Sequence, residues 1–310
     1  MEAVTGFVGR DQQVSEALAA LGAGNSLVVK GRAGIGKSAF LRQVFLRLSN
    51  ETPCFWLADT NGKAAMFDLA EQVHQKLSLK VPEHFIPDRH RSRAHQTSIV
   101  EWEWIKRSLS RAPTRETADM VLASLRGQGA VIFIETLEVP PTQAELYHDL
   151  AEVAQVAAAM DETNRRTRIQ RLLWRFQKEI ELKPLSREQT RELAERWLEK
   201  RPIRFSSNRV RDAFLRAVEQ DSGGIPAAIE GMLLAASNDG EVTPLAIRAY
   251  RHEAGTRYLD MTPALVIAVI GFMAMRYVSR GIGEIELLVM SGVASALFYG
   301  LTIMLRRLSR

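Results

Sequence analysis

The densest chemistry in this chain sits in eight residues, Gly31 to Ser38, whose sequence GRAGIGKS fits the phosphate-cradling pattern G-x-x-x-x-G-K-[ST] at every fixed position. Gly31, Gly34 and Gly36 carry no Cβ, so the backbone can take positive φ and turn successive N–H groups of the loop, from Arg32, Ala33 and Ile35 to Ala39, toward an anion. Lys37 adds a compact cation for β- and γ-phosphates, and the Ser38 hydroxyl is a ligand for Mg²⁺. The pattern has this meaning only where a buried strand enters it and a helix leaves it. Ser26-Leu27-Val28-Val29-Lys30 before it and Ala39 to Leu46 after it satisfy both conditions. A glycine-rich turn that binds nothing is the alternative, and the flanks weigh against it.

A second candidate lies at Ala130-Val131-Ile132-Phe133-Ile134, an apolar strand ending in Glu135. An acid at the end of such a strand holds Mg²⁺ through water, opposite Ser38. Thr136 follows, and a threonine cannot act as a general base; the next acid is Glu138. Hydrolysis is therefore expected to be slow, with occupancy rather than turnover as the signal.

The elements that must position these groups read as an α/β chain. Phe7-Val8-Gly9-Arg10 opens it and an amphipathic helix over Asp11 to Leu21 follows. After the phosphate loop come a buried strand, Pro53 to Asp59, and a helix, Ala64 to Leu77. This βαβ order predicts a parallel sheet sandwiched by helices. Residues 79–97 contain Pro82, Pro87 and the basic run Arg89 to His95, and are expected to form an exposed loop. The run is either a solvated charged face or a contact for phosphates, and Trp102 and Trp104 beyond it either pack on a helix face or stack a base. The proline pair Pro140-Pro141 opens a helix expected to reach about Met160, and Leu172-Leu173-Trp174 is expected to be a short strand ending at Arg175. From Ser186 onward the pattern is helical, with a third helix starting at Gly223-Gly224-Ile225-Pro226.

Composition bounds the class. With 310 residues, 46% hydrophobic and 25% charged, the chain is globular, and an excess of 41 Lys and Arg over 36 Asp and Glu favours anionic partners only weakly. A single cysteine, Cys54, excludes an internal disulfide and a thiolate zinc site. No basic segment followed by an apolar core opens the chain, so no secretory signal is expected. Toward the other end, Met261 to Met275 and Leu287 to Leu305 carry no charge, and the second run of 19 residues is long enough to cross a hydrocarbon core. A membrane hairpin over residues 261–305 is expected, a buried helix pair being the alternative.

Taken in order, these motifs resemble the AAA+ superfamily of P-loop NTPases, and within it the STAND-type signal-transduction ATPases, over roughly residues 5–240. The resemblance implies ATP and Mg²⁺ as cofactors. It places Val8, Gly9 and Arg10 beside the adenine, assigns Arg175 as the strand-end sensor arginine, and brings Pro226 of a helical lid toward the nucleotide. It further implies a nucleotide-binding domain over 1–180, a lid over 181–242, a linker over 243–260 and a hairpin with a basic tail over 261–310. Glu135 departs from the Asp usual in that family. The implied function is a membrane-anchored, nucleotide-gated switch that associates through its ATPase domain. No repeat array follows the lid, so the input is expected to come from a partner protein acting as the sensor or from the ATPase surface itself. A nucleic-acid remodelling or loading ATPase held at the membrane is the main alternative, and a scaffold that binds ATP without hydrolysing it is another.

Three basic residues flank each outer side of the hairpin (Arg248, Arg251, Arg257 and Arg306, Arg307, Arg310), against Arg276 and Arg280 in the connection, which favours both termini in the cytoplasm of a cell whose inner or cytoplasmic membrane holds the protein. A cysteine placed at Ser309 is expected to be shielded from an impermeant thiol reagent in intact cells while one at Gly283 is labelled. The reverse pattern, or release of the protein by carbonate, would refute the hairpin.

Overall fold

The computed structural model describes residues 7–58, 61–162, 170–239 and 241–250. Helix α1 (Asp11–Gly22) leads into strand β1 (Leu27–Gly31), and helix α2 (Lys37–Leu48) leaves the loop that follows. Strand β2 (Cys54–Leu57) is followed by four helices, α3 (Gly62–Leu77), α4 (Asp88–Thr97), α5 (Trp102–Arg111) and α6 (Thr114–Leu125), before strand β3 (Val131–Ile134). Helix α7 (Pro141–Val153), strand β4 (Gln155–Asp161), a helical turn α8 (Gln170–Leu173) and strand β5 (Lys178–Glu181) complete this part. The five strands are all parallel, in the order β2-β3-β4-β1-β5.

Residue parity assigns the two faces of the sheet. Val28, Phe55, Ile132, Val156 and Ala158 share one core with Leu69 and Val73 of α3, Ile105 of α5, Val121 of α6 and Tyr147 of α7. Their neighbours Leu27, Val29, Cys54, Phe133, Ala157 and Ile180 share the other with Val14 and Leu21 of α1 and Phe40 and Val44 of α2. Both faces are covered, which is why β1 and β3 are continuous apolar runs rather than alternating ones.

Three expectations are corrected. The helix expected to reach Met160 ends at Val153, and Ala154 turns extended (φ −142°, ψ 158°) to start β4 in the middle of the sheet. Ala157, Ala158 and Ala159 favour helix intrinsically, but burial between β1 and β3 overrides that preference. Leu172-Leu173 belongs to the turn α8 rather than to a strand, and β5 begins at Lys178. Residues 79–97 are not a loop throughout: the 3₁₀ turn Glu83–Phe85 precedes α4. There the His90 ring stacks on Trp104 at 4.6 Å and 2°, with the Arg93 guanidinium 5.6 Å from the same indole. Trp104 is thus a packing residue that seats a polar helix.

The lid has a core of its own. Helices α9 (Arg187–Lys200), α10 (Asn208–Asp221) and α11 (Pro226–Asn238) bury Ala194, Leu198, Phe214, Leu215, Val218, Met232 and Leu233 together, beside a small parallel pair, β6 (Arg204–Phe205) and β7 (Glu241–Val242). Ser186 caps α9 with a full capping box through Gln189. The runs 261–275 and 287–305 lie outside the described residues, and no described helix is long and apolar enough to cross a membrane.

Within the lid, the Gly224 carbonyl accepts the Leu185 N–H at 2.8 Å, which ties the entry to α9 to the entry to α11. Gly224 has φ +73°, and a Cβ there would lie 2.3 Å from the Leu185 carbonyl oxygen. Gly224→Ala is therefore expected to cost about 1–3 kcal/mol in a thermal or denaturant melt. Gly22→Ala, with open space around it, serves as the neutral control.

Candidate functional site

Parallel strands bring their carboxyl ends to one edge, and ligands in open α/β sheets bind outside that edge. Here β1 ends at Gly31, β3 at Ile134 before Glu135, and β4 at Asp161, in register with Gly31. The phosphate loop crosses this edge. Arg32, Ala33 and Gly34 are exposed, Gly36 is left-handed (φ 93°) at the N-cap of α2, and Lys37 and Ser38 open that helix half-buried. The loop N–H groups and the positive end of α2 lie together at this edge, the arrangement that the residue pattern predicts for an anion site.

Lys37 is held inside the loop. Its Nζ donates to the Gly31 and Arg32 carbonyls at 2.7 and 2.9 Å, and lies 3.6 Å from Asp161 Oδ2. Glu135 is half-buried, and its N–H donates to the Leu57 carbonyl at 2.9 Å. The Thr136 hydroxyl accepts the Glu138 N–H at 3.0 Å, so this residue shapes the turn, and Glu138 is exposed. Ser38 and Glu135 offer oxygen atoms, ligands that suit a hard cation such as Mg²⁺ when phosphate oxygens share it.

Beside the loop lies a cavity of about 230 Å³, lined among others by Phe7, Val8, Arg10, Ile35, Gly36, Ala39 and Pro226. Arg10 is buried at 5% exposure, and burial pulls its guanidinium down to about 10. Its Nη2 donates to the Ile35 carbonyl at 2.8 Å and to the Lys183 carbonyl at 3.5 Å. Its Nη1 has no partner among the described residues, which leaves one donor for an acceptor on a ligand. The lid closes the cavity: the Ala227 N–H donates to the Gly34 carbonyl at 3.1 Å, and Gln189 Nε2 donates to the Gly9 carbonyl at 3.1 Å.

The expected residues therefore fall into two groups. Gly31 to Ser38, the cavity residues Val8, Arg10, Ala39 and Pro226, and Gly9 through its lid contact come together at one edge. Arg175 does not join them. It precedes β5, at the amino end of that strand and thus the opposite edge of the sheet, where its Nη2 donates to Glu152 Oε1 at 2.8 Å. The reason is the misplaced strand: the strand end beside the loop belongs to β4 and carries Asp161. An acid closing the run Val156 to Met160 was the available signal, hidden by the helical preference of its alanines.

No protein-family model and no curated protein matches this chain. Among solved structures, it is similar to the Orc1 protein of Aeropyrum pernix in complex with DNA, at 12% identity and TM-score 0.54, over 80% of this chain and 66% of that one. It is also similar to Cdc6p from Pyrobaculum aerophilum, at 12% identity and TM-score 0.50, over 78% of this chain and 63% of that one. A STAND protein with a tetratricopeptide repeat sensor from Pyrococcus horikoshii has 18% identity over 75% of this chain and 30% of that one, and its TM-score of 0.42 carries no argument. The chain spans about two thirds of the length of the first two structures. At such identities the likeness establishes the fold alone, a parallel α/β sheet flanked by helices.

Lys37→Ala leaves the backbone nest but removes the half-buried lysine cation of the loop. Charge-assisted contacts are worth about 1.5–3 kcal/mol, so ATP affinity is expected to fall tenfold or more in a titration. Unchanged affinity would sink the assignment.

Proposed function

We propose that this chain is an ATP-binding switch with slow ATPase activity, in which the nucleotide joins the sheet layer to the lid. The observation that carries this reading is the single cavity walled by three separate stretches: Phe7 to Arg10, the phosphate loop and the lid residue Pro226. A purine nucleoside in the cavity with its phosphates on the loop would touch all three, so occupancy would bias the lid. The loop N–H groups and Lys37 hold the phosphates, and Arg10 offers Nη1 to the ligand. Ser38 and Glu135 would hold Mg²⁺, which supplies charge neutralisation on the phosphoryl oxygens when bound. Thr136 offers no base for water. Association between copies through the ATPase layer, kinship with STAND switches and a separate sensor partner extend this reading.

The membrane part of the proposal rests on the sequence of residues 261–305: an inner or cytoplasmic membrane protein with two spans, its ATPase in the cytoplasm, coupling nucleotide state to a signalling or defence output. A nucleic-acid remodelling ATPase is the second reading. Two observations favour it: Trp174 is 81% exposed beside exposed Arg171, an arrangement suited to stacking a base beside a phosphate, and the Aeropyrum Orc1 structure is a complex with DNA. The basic helix α4 supports it less, because Arg91, Arg93 and His95 pair with Asp88, Glu101 and Glu83.

Purified protein is expected to bind ATP with low turnover, and Glu135→Gln to weaken the Mg²⁺ dependence of binding more than it changes the rate. Brisk hydrolysis abolished by Glu135→Gln would overturn the slow-switch reading. DNA binding that falls steeply with salt, together with DNA-stimulated turnover, would replace it with the nucleic-acid reading.

A further inference from the structure

We infer that Asp161 is a competing anion built into the phosphate site: it pairs with Lys37 and competes for it with any phosphate that binds the loop. The inference rests on the nucleotide reading above. An ammonium has three N–H donors. Two of those of Lys37 go to the Gly31 and Arg32 carbonyls at 2.7 and 2.9 Å, and Asp161 Oδ2 lies 3.6 Å from Nζ as an ion pair, so part of the cation's charge is already matched within the protein. The pair is sheltered, with side-chain exposures of 15% for Lys37 and 20% for Asp161, so solvent screens it less than an ion pair on the open surface.

The position of Asp161 follows from topology. It is the last residue of β4, the strand inserted between β1 and β3, and it pairs in register with Gly31, where the phosphate loop begins. The carboxylate is thereby pinned beside the loop, where it shares Lys37 with any incoming phosphate. Two consequences follow from the charges. Binding must break the Lys37–Asp161 contact, which lowers affinity for every phosphate ligand. A carboxylate left facing a polyphosphate repels it, most strongly where no divalent cation neutralises either, so Asp161 selects Mg·ATP over free ATP. Asp161 is in this sense a specificity-determining residue that acts through Lys37.

The test uses the full-length protein with Asp161→Asn, which keeps the shape and removes the charge, and Asp161→Ser as a second variant; an unchanged melting temperature guards against loss of fold. Removing one part-screened charge at this separation is expected to tighten ATP binding about three- to tenfold, with the larger gain in EDTA, so that the ratio of affinities with and without Mg²⁺ shrinks. In a Lys37→Met background the gain should be smaller, because the competition is gone and only repulsion remains. Unchanged or weaker binding in both Asp161 variants would overturn the proposal, weaker binding with lost Mg²⁺ dependence marking Asp161 as a metal ligand instead. A second arm needs no nucleotide: acetylation of Lys37 by acetic anhydride, read by mass spectrometry on the empty protein, is expected to be severalfold faster in Asp161→Asn. Equal rates would show that Asp161 does not hold the ammonium. Wild-type protein that binds no nucleotide, yet shows this faster acetylation, would sink the nucleotide reading while leaving the ion pair demonstrated.

Discussion

The buried guanidinium of Arg10 ties the candidate site together. A charge with 5% exposure is costly to bury, and here the cost is met by carbonyls from two other parts of the chain, Ile35 in the phosphate loop and Lys183 on the way to the lid. One side chain thus links the amino-terminal stretch, the loop and the lid connection. The arrangement leaves Nη1 unmatched among the described residues, an opening that a ligand acceptor would fill. Phe7 and Val8, which line the cavity, belong to the same stretch, and the Phe7 ring packing on Phe40 and the Gln189 bond to the Gly9 carbonyl hold it alongside Arg10.

The lid is joined to the sheet layer differently. Each has its own apolar core, with the lid core built from α9, α10 and α11. Between them run the hydrogen bonds from Ala227 to Gly34 and from Gln189 to Gly9, and the start of α11 also places Ile225 and Ala228 in the apolar core that faces α1 and α2. Such hydrogen bonds each contribute about 1 kcal/mol net and can be exchanged with water or ligand atoms, while burial of Ile225 and Ala228 against the sheet layer holds the start of α11 more firmly.

Sheet order explains why chemistry gathers at one edge. Because β4 is inserted between β1 and β3, the edge beside the loop receives both Asp161 and Glu135. Small side chains serve this insertion: Ala157 and Ala159 face α2 and Ala158 faces the opposite layer, letting helices approach a strand flanked on both sides. The same alanines made the strand look helical.

Local chemistry was enough to read the phosphate loop, the strands β1, β2 and β3, the capped helix α9 and the helix start at Pro226. Each is specified by neighbours in the chain: glycines where φ is positive, an unbroken apolar run, a capping box, a proline at a first turn. Tertiary structure alone decided the rest. Whether Gln155 to Asp161 is helix or strand depends on an open hydrogen-bonding slot between β1 and β3, which no window of the sequence contains. Whether Arg89 to His95 is loop or helix depends on Trp104 offering His90 a ring to stack on. The site inherits this division. Lys37, Ser38 and Glu135 were legible from motif and strand pattern, while Asp161 was not, because its place beside Lys37 comes from a pairing of strands more than a hundred residues apart in the chain.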